Sequence, residues 1–422
     1  MKKYMLIVAA IAMLCGCTKE NDLAPETEGA GVTEFTASIA DDIATRTNIS
    51  ERKILWAQGD AISIDGNSYT AQSTGQTTTF TGTGAQKCAD GKYHAYYPAR
   101  MYSEGISSLP GDYPTTSVNT TPNYGLPMYA ESETEALSFS NLTGVIALTM
   151  PATQLDHVST ITVYSDQRLN GAFTVASDGT LTFTSEAAAS DARKVTLHYG
   201  SADGIQISGS RTFYIPVPAG SHTLAFMAEK TVNGTVTEKK MMTAKSAITI
   251  ERNKLYSLNF TGKTQGTYAG HDWVQLWKDG PLFATMNYGA ESSSDFGDRG
   301  AWSDSWDKWG TYWTIGAGKT DLQSIYSKTS LVYVNEDQTE GYTITGTEEG
   351  YTDNSIFLPV EAGSSASSWT EYWTCELNDK GQMRSLLLYP YWSTGQSMTA
   401  LLNFAGSTSL STTYYIRPVL AF

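Results

Sequence analysis

Apolar and polar residues alternate along much of the first 262 positions. Phe35, Ala37 and Ile39 alternate with Thr36 and Ser38, and Ile62 and Ile64 follow a turn at Gly59-Asp60. Phe173 and Val175 run into Asp178-Gly179, and Leu181 and Phe183 run out of it. A period of two puts one set of side chains on a single face of a strand, and Asp-Gly between two such runs is a strong hairpin signal. Val232-Asn233-Gly234-Thr235-Val236 predicts a second hairpin of the same kind. Phe213, Ile215 and Val217 lead into Pro218-Ala219-Gly220, Leu224 and Phe226 continue beyond it, and Tyr256, Leu258 and Phe260 close the region. No stretch of ten residues here has a persuasive helical period. Many short strands with turns between them predict antiparallel sandwiches. The span 32–262 is long for one sandwich, so it divides near Pro151 into domains 32–150 and 151–262.

Beyond this point the pattern changes. Residues 263–270 read as a short polar linker containing glycine. Nine of the ten tryptophans follow it. The alternation is weaker: Lys319 to Val334 allows a short helix, while Ser385 to Leu388 and Tyr414 to Val419 read as strands. The span 271–422 is therefore predicted as a mixed α+β domain in which strands dominate.

Composition supports a β-rich chain. Of the 422 residues only 17% are charged, against roughly 25% on average. The difference is filled by 55 Thr and 42 Ser, and threonine favours strands. The net charge of −15 argues against a nucleic-acid partner, because phosphate binding needs a basic surface. The charge is uneven: residues 263–422 hold 18 acidic and 9 basic residues, a net of −9.

The start of the chain reads as an export signal. Lys2 and Lys3 precede an apolar run from Tyr4 to Leu14, about half the ~20 residues of a membrane-spanning helix. Leu14-Cys15-Gly16-Cys17 resembles a bacterial lipoprotein signal. That resemblance implies that residues 1–16 are removed and Cys17 is diacylated as the mature N-terminus. The alternative is an ordinary secretory signal with a chance cysteine. Thr18-Lys19-Glu20-Asn21-Asp22 looks like the surface-export signals of Bacteroidetes lipoproteins, and 17–31 reads as a flexible tether. Cys88 and Cys375 form no visible disulfide framework and read as small buried apolar residues.

An ordered set of short motifs spans about 230 residues. These are Thr45-Arg46-Thr47, Trp56 with Gly59-Asp60-Ala61-Ile62, His94-Ala95-Tyr96-Tyr97-Pro98, Leu137 to Leu148, Pro216 to Gly220 and Ile250 to Tyr256. The set resembles the fimbrillin family of Bacteroidetes pilins, which implies two transthyretin-like β-sandwiches. It also implies cleavage after Arg46, which releases the lipidated segment and opens a groove for a donor strand from another subunit. The alternative is that Arg46 is an uncut loop arginine. In the last domain, Asn287-Tyr288-Gly289-Ala290, Phe296-Gly297-Asp298, Ala301-Trp302, Ile356 to Pro359, Tyr372-Trp373-Thr374 and Ile416 to Val419 resemble short paralogous domains of Bacteroidetes and Fibrobacter surface proteins. That resemblance implies a C-type-lectin-like architecture, and the motif pieces are mainly scaffold.

Signals for catalysis are weak. The five histidines, His94, His157, His198, His222 and His271, have no metal-ligand spacing, and no nucleophile elbow or phosphate loop is present. No cofactor or metal is predicted. Formylglycine-generating oxidases of related fold use paired cysteines, and this domain has only Cys375. Asp295, Asp298, Asp304 and Asp307 could supply oxygens to calcium, or could be a solvated acidic loop. Trp302 reads as scaffold, while Trp306, Trp309 and Trp313 are candidates for a recognition surface that stacks on glycans or a protein partner; the alternative is that they pack the core.

The expected function is a surface fimbrial subunit, a tip adhesin with a lectin-like domain at its far end, and not an enzyme. Its expected partners are other fimbrial subunits by strand addition, a host or bacterial glycan or matrix protein, and the outer membrane through the lipid. A permanently lipid-anchored surface binding protein that never polymerises is the alternative. A glycan-handling enzyme is a weaker third reading.

Overall fold

The computed structural model describes residues 31–40, 44–45, 55–114, 126–176, 178–184, 190–200, 203–301, 309, 312–314, 327–336, 339–361, 370–377, 383–388 and 413–420. The protein is mainly β: among the described residues, helical backbone occurs at Ala99–Met101, at Ser190–Arg193, at residue 309 and at residues 327–328.

The alternation along Val32–Ile39 buries Phe35, Ala37 and Ile39. This strand pairs in parallel with Ala136–Asn141 on one side and antiparallel with Thr77–Ala85 on the other. The ring continues through Met128–Ser132, Tyr93–Tyr97, Ala61–Ile64 and Asn67–Ala71, and closes. A closed ring leaves no unpaired edge, so this first part is a seven-stranded barrel, where the pattern predicts a sandwich. Its centre is aromatic. Trp56 meets Phe80, Tyr97 and Phe139 edge-on at 5.0, 5.1 and 5.2 Å.

The second part is a sandwich. One sheet has the order Ser210–Pro218, Thr143–Pro151, Lys254–Asn259, Ala44–Thr45. The other runs Thr235–Thr243, Leu224–Val232, Thr160–Ser165, Lys194–His198, Asp112–Pro114. Ile146, Leu148 and Phe213 from the first meet Ile161, Val163 and Phe226 from the second in one core. Thr143–Pro151, placed by the pattern at the end of the first domain, pairs along its length with Ser210–Pro218 in this sheet. The sheets thus divide at Leu142 rather than Pro151. The division is also not clean in sequence, because Asp112–Pro114 and Ile106–Leu109 pair with Lys194–His198 and Gly171–Val175. Both predicted hairpins form: Phe173 faces Phe183 and Val175 faces Leu181, and Val232 faces Thr235. Asn233 at φ 51° and Gly234 at φ 75° supply the left-handed backbone that a two-residue hairpin turn requires.

In the third part, Gln265–Tyr268, His271–Gln275, Leu282–Ala284, Val419–Leu420 and Trp313–Thr314 form one sheet. A second has the order Arg299–Ala301, Thr413–Tyr415, Thr370–Leu377, Met383–Leu388, and a meander joins Thr329–Glu336, Thr339–Gly346 and Ser355–Pro359. The 263–270 segment is therefore not a free linker, because four of its residues are a paired strand. Within Lys319 to Val334, residues 319–326 lie outside the described residues, 327–328 are helical and Thr329 onward is strand.

Candidate functional site

Two places stand out. The first is the seat of the N-terminal strand. Phe35 sits edge-on to Tyr69 at 5.2 Å and to Tyr93 at 4.9 Å. The Tyr69 hydroxyl donates to the Val32 carbonyl and accepts from the Ala85 backbone N–H at 2.6 Å. After the barrel strand ends, Ala44–Thr45 joins the edge of the sandwich, in parallel with Lys254–Asn259. One short run of chain thus completes the barrel and extends the neighbouring sheet. Arg46 and Cys17 lie outside the described residues.

The motif Leu137 to Leu148 acquires a physical role here. Its first half, to Asn141, flanks the N-terminal strand, and its second half, from Thr143, starts the sandwich. The crossing is clamped: Asn141 Nδ2 donates to Asn253 Oδ1 at 2.7 Å, and Arg252 Nε donates to the Asn141 carbonyl at 3.0 Å. Asn253 takes φ 58°, so the Ile250 to Tyr256 motif makes its bend at this clamp.

A polar network covers part of the barrel wall. His94 Nδ1 lies 2.5 Å from the Tyr129 hydroxyl, and its Nε2 lies 2.8 Å from Asp90 Oδ2. Lys92 pairs with Glu131 at 2.7 Å. The Asp65 carboxyl belongs to this face, where Oδ1 accepts weakly from the His94 backbone N–H at 3.4 Å while Oδ2 is buried without a partner. Burial pushes the Asp65 carboxyl up to about 6, against the lowering effect of the His94 N–H and ring. Burial also raises Asp60, whose carboxylate accepts from the Ala57 N–H at 2.8 Å and the Tyr97 hydroxyl at 3.2 Å.

The second place is aromatic. Trp309 stacks face to face on His271 at 3.7 Å and meets Trp313 edge-on at 5.5 Å. Trp309 is half-buried, whereas Trp313 is only 4% exposed. Trp313 is a core residue here, and its Nε1 donates to the Tyr268 carbonyl at 3.3 Å. Trp302 and Trp306 lie outside the described residues. The cluster around Trp313 contains Tyr268, Trp273, Leu282 and Leu420 of the third part together with Tyr164 and Ala225 of the sandwich. It is therefore a joint between the two. Polar contacts cross it: Tyr268 hydroxyl to Thr223 carbonyl at 3.2 Å, Trp273 Nε1 to Thr243 Oγ1 at 3.1 Å, and Tyr312 hydroxyl to Arg193 carbonyl at 3.0 Å. Neither the alternation of residues nor the tryptophan spacing indicates that joint. The only sequence signal is the pair of large aromatics, Tyr268 and Trp273, flanking the presumed end of a linker.

The motif pieces of the third part meet in a buried node. Asn287 Nδ2 donates to the Phe296 carbonyl at 3.1 Å and to the Tyr372 hydroxyl at 3.2 Å, and that hydroxyl donates to the Pro359 carbonyl at 2.7 Å. Arg417 donates to the Ala284 carbonyl at 3.0 Å and to the Phe357 carbonyl. These residues hold the scaffold together. In the acidic loop, Asp295 accepts from the Glu291 and Gly297 N–H groups at 3.0 and 3.3 Å, which lowers its pKa. Asp304 and Asp307 lie outside the described residues. Among the described residues no three of His, Cys, Asp and Glu gather in a metal-binding arrangement.

No family profile matches the chain, and no curated protein matches it. Solved structures do resemble it. A proposed cell adhesion protein from Bacteroides ovatus has 14% identity and a TM-score of 0.35, covering 55% of this chain and 93% of that one. One from Bacteroides eggerthii has 17% identity and a TM-score of 0.26, covering 56% and 89%. One from Bacteroides fragilis has 10% identity and a TM-score of 0.29, covering 53% and 90%. Likeness of this degree describes those proteins and carries no argument about the function of this one.

Proposed function

We propose that the protein is a surface-exposed fimbrial subunit, a tip adhesin that accepts a donor strand and presents its third part for recognition of a glycan or matrix protein. The supporting observation is the seat of Val32–Ile39. The strand lies between two others near one end of the chain, and its alternate side chains fill the barrel. Cleavage after Arg46 removes this strand together with Ala44–Thr45. The vacated seat offers ladder hydrogen bonds for affinity and pockets at alternate positions for register, the requirements of strand addition. A folded third part beyond the sandwich supplies the recognition surface that a tip subunit needs. Cys17 carries the lipid until cleavage, the location is the outer membrane and then the fimbrium, and the role is binding rather than catalysis.

The test is N-terminal sequencing of the protein sheared from native fimbriae. A start at Thr47 supports donor-strand assembly. A start at Cys17, in protein confined to outer-membrane fractions, favours the second reading, a permanently anchored binding protein whose first strand stays in place. That reading draws on the same observation, since a strand paired on both edges is also a stable one.

A further inference from the structure

Beneath the joint lies a buried histidine that the proposed function does not use. His222 is 2% exposed, at the end of the short strand Gly220–His222 and next to the joint residue Thr223. Its Nε2 is 2.9 Å from the Pro218 carbonyl, and its Nδ1 is 2.9 Å from Ser165 Oγ. A carbonyl only accepts, so Nε2 carries the hydrogen and Nδ1 accepts from the Ser165 hydroxyl. The Ser165 oxygen in turn accepts from the Gln167 N–H at 3.0 Å. Gly220 makes room for the ring: its φ is +148°, and a Cβ there would stand 3.2 Å from Nε2.

Both members of this pair are sequence neighbours of joint residues. Ser165 follows Tyr164, whose ring meets Tyr312 edge-on at 5.7 Å. His222 precedes Thr223, whose carbonyl accepts the Tyr268 hydroxyl across the joint. The charged and titratable groups around the pair are Asp166 on the same loop as Ser165, Tyr268 and Tyr312 from the third part, and Arg193, which faces those two tyrosines.

We propose that the Ser165–His222 pair is an acid-sensitive latch, and that proton uptake by the ring loosens the docking of the third part on the sandwich. A proton arriving from solvent on Nδ1 turns that nitrogen from acceptor to donor. The Ser165 oxygen then accepts from that N–H, and the hydroxyl hydrogen must turn to another acceptor. The acceptor beside it is Asp166 Oδ1 at 3.3 Å, which already holds the Thr223 N–H at 2.7 Å. Drawing Ser165 toward Asp166 moves the loop after Tyr164 and competes for the group that fixes Thr223. Both contacts across the joint are disturbed by the one event. Burial holds the ring below the ordinary imidazole value, with the Pro218 carbonyl and Asp166 opposing it. A lowered histidine favours the folded joint fully above its unfolded value, and that contribution is lost as pH falls below it.

Amide hydrogen exchange on the full chain between pH 7 and pH 5, corrected for intrinsic rates, tests the latch. Protection of peptides covering 265–275 is expected to drop about tenfold relative to the barrel peptides covering 61–71, and His222→Gln is expected to abolish that drop. An unchanged ratio in the native chain, or the same drop in His222→Gln, overturns the proposal. Should His222→Gln not fold, imidazole C2 exchange on the native chain decides instead. The His222 ring is expected to protonate over the range in which 265–275 opens, and protonation without opening, or opening without protonation, overturns the latch.

Discussion

The barrel and the third part end in opposite ways. The barrel closes on itself, and the residues that complete it, Phe35, Ala37 and Ile39, all sit on one strand. The third part has a core of its own around Tyr342, Ile344 and Tyr372, and beside it Tyr268, Trp273 and Trp313 share a second core with Tyr164 and Ala225 of the sandwich. A closed core entered by one strand can exchange that strand. A shared core cannot be cut without exposing apolar surface on both sides. The proposed roles of assembly site and recognition domain place these different demands on packing, and neither depends on overall β content.

The largest effect expected from this contrast is on a fragment of residues 269–422. It lacks Gln265–Tyr268 and exposes Trp273, so its thermal transition by circular dichroism should fall well below that of the full chain. A fragment that melts as high as the full chain would mean that the joint is dispensable. Next, Trp273→Ala and Phe35→Ala should each cost about 3–5 kcal/mol in urea unfolding, as buried aromatics do. Hydrogen exchange separates them: Phe35→Ala should loosen the barrel alone, whereas Trp273→Ala should loosen both the third part and the strand Thr235–Thr243. Losses confined to the third part would remove the distinction.

Smaller effects sharpen the picture. Asn141→Ala, which breaks the clamp to Asn253, should cost about 1–2 kcal/mol. Trp309→Ser should cost only about 1 kcal/mol, because the ring is half-buried and its main contact is the stack on His271. If it also lowers retention on a glycan array of the full chain, Trp309 contributes to recognition. Unchanged retention would exclude it. The smallest effect concerns Asp65. Its carboxyl is raised to about 6 in the fold against an ordinary 3.8, so the native state holds a proton that the unfolded state gives up. Stability should therefore fall as pH rises from about 4 to about 6, and stay reduced above it. Asp65→Asn should flatten that slope in melting temperature, while an identical slope in the variant would assign it to other groups.

The individual strands and hairpins were legible because they depend on local chemistry. Asn233-Gly234 and Asp178-Gly179 supply turns, and the alternation at Val32–Ile39 and Ser210–Pro218 marks buried faces. Closure and partnering were not legible. Period two cannot distinguish a sandwich face from a barrel interior, since both bury every second residue. The split near Pro151 follows a proline and a length argument, but Thr143–Pro151 pairs with Ser210–Pro218 and so belongs to the later sheet. Among the candidate tryptophans, Trp313 stands in the core, and Trp309 is half-buried against His271. A tryptophan in a Ser-, Gly- and Asp-rich run carries no mark of which neighbour will cover it.

By itself the sequence determined the β character, the turns, the acidic and tryptophan-rich third part, and the N-terminal residues on which export and lipidation are proposed. Tertiary structure alone decided that the barrel closes around the first strand and that residues 265–268 are a paired strand in a joint. It also decided that His222 lies buried against Ser165. The physical reason is range. Alternation and turn chemistry act over a few residues, whereas closure, a shared core and a buried hydrogen-bonded pair join positions such as 165 and 222, or 164 and 268, that no local pattern relates.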